Sequence, residues 1–180
     1  MPLNTQIAIV GITDAKFKVG STLTDIGGIE ELDIDFDGIE QLVRGDDGVI
    51  AYIAAKTNAK VTVKSAILDV SAIAALTGDT LSTSGTSPNQ VATLAIKSGT
   101  VPSGTLEGQA TIIQGLQGAT NTTPGDVHFK IAVFQINPTS LKLSMKIGTA
   151  SGFDFSGVAI PDSTGTIVTI TLNETKTAIT

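Results

Sequence analysis

The chain has 180 residues, 41% of them hydrophobic and 4% aromatic, with no cysteine, no tryptophan and a formal net charge of -6. Such a length buries a full core and fits one compact domain spanning residues 1–180, and the missing cysteines exclude a disulfide framework, a thiolate nucleophile and a cysteine-type zinc site. Arg44 is the only arginine, and neither a basic patch nor aromatic stacking platforms are present to grip nucleic acid in a sequence-specific way.

The opening MPLNTQIAIVGITDAKF lacks a basic segment followed by a long apolar run, so neither a signal peptide nor a membrane anchor is expected. Gln6 to Ile12 is a short apolar β-type segment and reads as an extended arm or edge strand, part of an N-terminal arm over about residues 1–20. Ile29 to Asp37, IEELDIDFD, then alternates strictly. Leu32, Ile34 and Phe36 point toward a core, while Glu31, Asp33, Asp35 and Asp37 form a row of like charges on the opposite face. Nine of the 17 acidic residues fall between Asp25 and Asp47, so the negative charge is regional. Same-face neighbours on a strand lie about 7 Å apart, and such a row repels itself unless water, cations or a basic neighbouring strand offset it.

In Gly38 to Gly48, Ile39, Leu42 and Val43 sit at helical spacing within a charged connection; they either fold onto their own domain or dock onto a neighbouring subunit. Val49 to Ala55, VIAYIAA, is apolar on both faces and predicts a strand covered on both sides. Ala59 to Leu68 alternates again, with Val61, Val63 and Ile67 opposite Lys60, Thr62 and Lys64. Placed beside the acidic strand, Lys60 and Lys64 would relieve part of its repulsion. Asp69 to Leu76 is the one convincing helix, at about residues 69–77: Asp69 or Ser71 caps it, Val70, Ile73 and Leu76 form its apolar stripe, and Gly78 ends it.

The remainder reads as strands separated by turn chemistry: Val91 to Lys97, Leu106 to Gln114, Val127 to Ile136, Leu141 to Ile147, Phe153 to Ile160 and Thr166 to Leu172. Asn137-Pro138 predicts a hairpin between the third and fourth of these, and residues 161–165 a hairpin between the last two. Flexible loops are expected at about residues 77–90 and 115–126. The expected fold is mainly β, an antiparallel β-sandwich or half-barrel with one short α-helix and long loops.

Motifs that carry chemistry are sparse. Asp33-Ile34-Asp35-Phe36-Asp37-Gly38 opens like a calcium loop, but Arg44 stands where the closing glutamate belongs, and the strand period runs through Ile34 and Phe36. A surface cation site using these carboxylates with Asp46 or Asp47 is a separate alternative. His128, the only histidine, lies on a regular strand with no visible triad or metal partners, and reads as a surface or interface residue. Nucleophile-elbow, phosphate-loop and dinucleotide motifs are absent, and the sequons at Asn121 and Asn173 read as chance matches in a Thr-rich chain. No catalytic residue, metal or cofactor is expected, and the chain is read as a non-enzyme.

Four features in order carry a resemblance: the N-terminal arm, the strand pair around IEELDIDFDGIEQL and VIAYIAAK, the strand-to-helix passage VTVKSAILDVSAIAALTG, and the closing FDFSGVAIPDSTGTIVTITLNE. Together they resemble bacteriophage tail tube (major tail) proteins over most of the chain. The resemblance implies a structural subunit that forms stacked, hexameric rings and a channel conducting DNA during ejection. It also implies partners among other tail proteins (tape measure, baseplate and terminator), and a place in the virion tail after assembly in the host cytoplasm. DNA would pass without sequence-specific binding, and no membrane is involved. The family supplies no residue roles here; this sequence itself points to Glu31, Asp33, Asp35 and Asp37 as the channel-lining face and to Ile39, Leu42 and Val43 as inter-subunit contacts. A cation-stabilised Ig-like adhesion or surface-array module would use the same alternation and is the alternative reading.

Overall fold

The computed structural model describes residues 7–45, 48–114, 125–144 and 152–179. Among the described residues the chain forms β1 (Ile7–Val19), β2 (Thr22–Asp25), β3 (Ile29–Gly45), β4 (Gly48–Ser65), α1 (Val70–Thr77), β5 (Leu81–Ser84) and β6 (Val91–Leu94). It continues with β7 (Ser103–Gln114), β8 (Gly125–Ile136), β9 (Lys142–Ser144), β10 (Gly152–Ile160) and β11 (Thr169–Asn173). Nine strands make one sheet in the order β2-β1-β7-β8-β10-β4-β3, with β11 added to β8 and β9 to β10; β5 and β6 pair separately. Every pairing is antiparallel. The sheet does not close, so the architecture is a mainly β half-barrel with one short helix.

Strand alternation builds the core. On β4, Ala59, Val61 and Val63 are fully buried while Lys60 and Lys64, at alternate positions, are exposed. Phe17 from β1, Phe134 from β8, and Phe155 and Phe153 from β10 form a continuous aromatic spine, with successive ring centroids 6.0, 6.2 and 5.8 Å apart. Gly157 makes room for it, because a Cβ there would collide with the Phe134 ring and the Gln135 carbonyl. Each fully buried side chain of this size contributes about 1.5–3 kcal/mol relative to exposure.

Helix α1 caps the open mouth of this core. Ser65 ends β4 by donating from Oγ to the Gly27 carbonyl at 2.6 Å and accepting from the Ile67 amide at 3.1 Å. Asp69 then caps the helix, its Oδ1 accepting from the amides of Ser71 and Ala72. Ala72, Ile73 and Leu76 enter the same cluster as the phenylalanines. Gly78, at φ 79°, takes the left-handed conformation that terminates the helix, as its position in the sequence predicts.

Several local expectations are corrected. Residues 7–19 are a strand of the sheet and not an arm: Ala15 and Phe17 are fully buried, β1 pairs with β7 along its length and with β2 only at Lys16–Val19, so from Ile7 to Ile12 the edge-strand reading is the one that holds. Residues 1–6 lie outside the described residues. The loop expected over residues 77–90 contains β5, which pairs with a β6 shorter than Val91 to Lys97. Of the loop expected at 115–126, Gly125 and Asp126 belong to β8, and residues 115–124 lie outside the described residues. Of Leu141 to Ile147 only Lys142–Ser144 is a described strand, and it pairs with β10 rather than β8. β11 likewise pairs with β8 and not with β10. The twelve-residue β8 explains both shifts, because one of its edges is shared between β10 along 133–136 and β11 along 126–130.

Candidate channel face, hairpin arm and buried clasp

The acidic alternation of β3 is realised in the proximal half of a long β3–β4 hairpin. Register places Glu31 opposite Lys64, Asp33 opposite Thr62, Asp35 opposite Lys60 and Asp37 opposite Asn58, on the face turned away from the core. The basic strand expected to offset the acidic one is therefore its direct partner, and Lys64 Nζ binds Glu31 Oε2 at 2.6 Å. On the other side of Lys64 the register brings Asp154 of β10, itself paired with Lys142 of β9. Five carboxylates on this face thus meet three ammonium groups, leaving it net negative by two charges.

Within the row, neighbouring groups shift the Glu31 and Asp33 carboxyls in opposite directions. The Lys64 hydrogen bond, and then that of Asp33, hold the Glu31 carboxyl below its ordinary range. The adjoining Glu31 pushes the Asp33 carboxyl up, with burial and the charge of Asp35 adding in the same direction. A second row across the sheet behaves differently. Asp25 of β2, Lys16 of β1, Glu107 of β7 and Lys130 of β8 occupy successive register positions with alternating sign. Lys16 reaches Asp25 at 3.2 Å and Lys130 reaches Glu107 at 2.7 Å.

Beyond Asp37 the hairpin leaves the core. A bulge between Asp37 and Gly38 leaves Thr57 out of register, and Gly38 sits so close to the Ala55 carbonyl that a Cβ would lie 2.8 Å from it. Past this point Ile39, Gln41, Ile53 and Ala55 share one face, and Glu40, Leu42, Tyr52 and Ala54 the other. Ile39, Leu42, Tyr52 and Ile53 are 57%, 51%, 56% and 52% exposed. The helical spacing of Ile39, Leu42 and Val43 is accordingly coincidental, since all three continue the strand. Ile39 and Leu42 do not fold onto their own domain; the Val43 side chain lies outside the described residues, as do Asp46 and Asp47. VIAYIAA is not covered on both sides either, because residues 51–55 are exposed. Phe36, expected in the core, is 48% exposed with Lys56 Nζ 4.8 Å from its ring centre. It stands opposite Ala59, the last core residue of β4, one same-face pair beyond Ile34, where the core ends along β3. Ile67 is likewise 55% exposed, because β4 stops at Ser65 before reaching it.

Two further features frame the hairpin. β3 is the terminal strand of the sheet order, so its outer edge has no strand partner among the described residues. Between β3 and the β1–β7–β8 wall, Leu32, Ile34, Ile9, Ile12 and Phe129 line an apolar cleft of about 280 Å³.

A polar cluster that the sequence did not announce lies on β7 and β8. Asp126 is fully buried: its Oδ1 accepts from Asn173 Nδ2 at 2.7 Å, and its Oδ2 accepts from Gln109 Nε2 and the Thr177 amide, both at 2.6 Å. Gln109 Nε2 also donates to the Thr177 carbonyl at 2.9 Å. His128 is not a surface residue, since its side chain is 18% exposed and Nε2 lies 3.2 Å from Asp126 Oδ2. That nitrogen is within ion-pair range but off the line a hydrogen bond needs. Burial pushes the Asp126 carboxyl up, yet the Thr177, Asn173, His128 and Gln109 contacts together outweigh it and hold the group below its ordinary range. An aspartate just before an alternating strand was the only signal, and it does not identify which distant donors will enclose it.

Among the described residues no three His, Cys, Asp or Glu side chains are grouped so as to hold a metal ion, because the pleat spreads Asp33, Asp35 and Asp37 along a straight strand. Among the same residues no helix is long and apolar enough to cross a membrane. No model of a protein family matches this chain, and no curated protein matches it at a significant level.

Proposed function

We propose that the protein is a structural subunit of a phage tail tube, whose copies assemble into stacked rings around a channel that conducts DNA. The observation that carries this reading is the distal β3–β4 hairpin, which projects past the core with Ile39 and Ile53 exposed on one face and Leu42 and Tyr52 on the other. A lone subunit gains nothing from exposing apolar residues on both sides of a hairpin, and contiguous patches of this kind mark contact surfaces. The unpartnered edge of β3 supports the same reading, because ring closure between identical subunits removes sheet edges that a monomer would have to protect.

The acidic face supports the channel assignment. A wall that DNA slides past must withhold the counterion release that drives phosphate binding, and a net negative surface does so. Glu31, Asp33, Asp35 and Asp37, with Asp154, supply it; Ile39 and Leu42 of the hairpin supply the inter-subunit contacts. The reading is structural, with no catalytic step and no cofactor, and its partners are other copies of this chain and the remaining tail proteins.

Negative-stain microscopy of concentrated protein tests it. Wild type is expected to form rings or tubes with a central channel, and the Ile39→Asp/Leu42→Asp variant to remain a soluble folded monomer. A wild type that stays monomeric at every concentration and salt, indistinguishable from the variant, overturns the reading. In assembled particles, replacing Glu31 by Gln and Asp33, Asp35 and Asp37 by Asn should leave the tube intact and slow DNA passage. Unchanged ejection kinetics would remove these carboxylates from the channel.

A further inference from the structure

We propose that residues 174–179 form a releasable strap held on the sheet by the buried carboxylate of Asp126, and that neutralising this carboxylate opens the strap while the rest of the sheet stays folded. The strap follows β11 and has no strand pairing of its own. Residues 174–178 are exposed, and Ile179 alone is buried, at 4%. Its polar attachment is concentrated at one residue: the Thr177 amide donates to Asp126 and the Thr177 carbonyl accepts from Gln109. Segments with so few buried contacts open at low free energy, well below global unfolding.

The attachment depends on charge. An ionised carboxylate is acceptor-only and matches the donors converging on it from β7, β11 and the strap; a protonated one adds an O–H among those donors and gives up acceptor capacity. Other charged groups on this sheet face are Asp14 and Lys16 of β1, Asp25 of β2, Glu107 of β7, Lys130 of β8, and Glu174 and Lys176 of the strap. Lys16 is engaged by Asp25 and Asp14, and Lys130 by Glu107, so the titratable group at Asp126 itself is His128. Protonating His128 places a cation 3.2 Å from the carboxylate and tightens the strap, so opening follows Asp126. The closed state holds the Asp126 carboxyl below its ordinary range. Closure is therefore complete above the unperturbed aspartate value of about 4 and is lost as pH falls through the lower, closed-state value. The strap closes within one chain, so it stands or falls separately from ring assembly.

Trypsin reports the strap directly, because the Lys176–Thr177 bond is the peptide whose amide Asp126 holds. With the full chain at neutral pH and intact-mass detection, Asp126→Asn should be cut there roughly tenfold faster than wild type or more, the loss expected for hydrogen bonds to a charged acceptor. Sites on β4, after Lys60 and Lys64, should remain as slow as in wild type. Gln109→Ala, which frees only the Thr177 carbonyl and one Asp126 contact, should have a smaller effect at the same bond. Wild-type-like cleavage at Lys176 in Asp126→Asn, or equal acceleration at every lysine, overturns the proposal. Should Asp126→Asn not fold, hydrogen exchange on wild type decides. After correction for intrinsic rates, Thr177 protection should decline as pH falls from about 4 and be lost through the lower, closed-state value, while β4 and β10 stay protected. Loss in all three together, or in none, overturns it.

Discussion

The two halves of the β3–β4 hairpin share one hydrogen-bond ladder and differ in everything else. In the proximal half, alternation sorts Leu32, Ile34, Val61 and Val63 toward the phenylalanine spine and the charged residues away from it. Past the bulge at Gly38 the same ladder carries Ile39, Leu42, Tyr52 and Ile53 into solvent, with apolar residues on both faces. Backbone pairing thus forms a strand with or without a core beneath it. What alternates records burial, and where alternation fails apolar residues stand exposed on both faces of the ribbon.

The comparison breaks first at Val63. Val63→Asp puts an unpaired carboxylate into the fully buried proximal face, a change that costs about 3–5 kcal/mol or more and should abolish the cooperative melting transition. A folded Val63→Asp protein would mean that the proximal half is not the core. Losing the Asp69 cap is the intermediate case: Asp69→Ala should cost about 1 kcal/mol in a urea titration, with the midpoint lowered and the slope unchanged. In the distal half, Ile53→Asp should change monomer stability by less than about 0.5 kcal/mol, and sedimentation should show assembly lost. A large stability loss there would return the hairpin tip to the core.

The smallest effect concerns the charged faces. The Asp25–Lys16–Glu107–Lys130 row alternates in sign, whereas the β3 row is under-compensated, with Asp33 pushed up by Glu31 beside it. A carboxyl raised in the folded state destabilises the fold as pH rises through it, so Asp33→Asn should raise the melting temperature at neutral pH and low salt. The gain should fade as salt screens the row. Glu31 has the opposite sign: Lys64 holds it low, so its contribution is present above the ordinary glutamate value and is lost on acidification. A lower melting temperature for Asp33→Asn, or one insensitive to salt, would mean that the row is not repulsive.

Much of the fold was legible because its causes are local. The cap at Asp69, the stop at Gly78, the two faces of Ala59 to Ser65 and the acidic row follow from residue chemistry and a period of two. The offset by Lys60 and Lys64 was legible as well, since the two segments are adjacent in sequence and long enough to form a hairpin. Pairings of Thr169–Asn173 and Lys142–Ser144 were not, because neighbours in sequence are the default partners and here a longer strand divided its edge between two others. The Asp126 cluster was hidden for the same reason: Gln109 comes from β7, and Asn173 and Thr177 from a second, distant stretch at and just after β11.

By itself the sequence determined the class of this protein, mainly antiparallel β with one helix, and the sidedness of β3, since side-chain period and capping chemistry act over a few residues. Only the tertiary structure decided where the core ends along the hairpin, and so that Phe36, Ile39, Leu42 and Tyr52 face solvent. It alone also decided that a buried carboxylate gathers donors from β7, β11 and the chain beyond. Both outcomes depend on which distant segments arrive at a surface, and no local spacing records that.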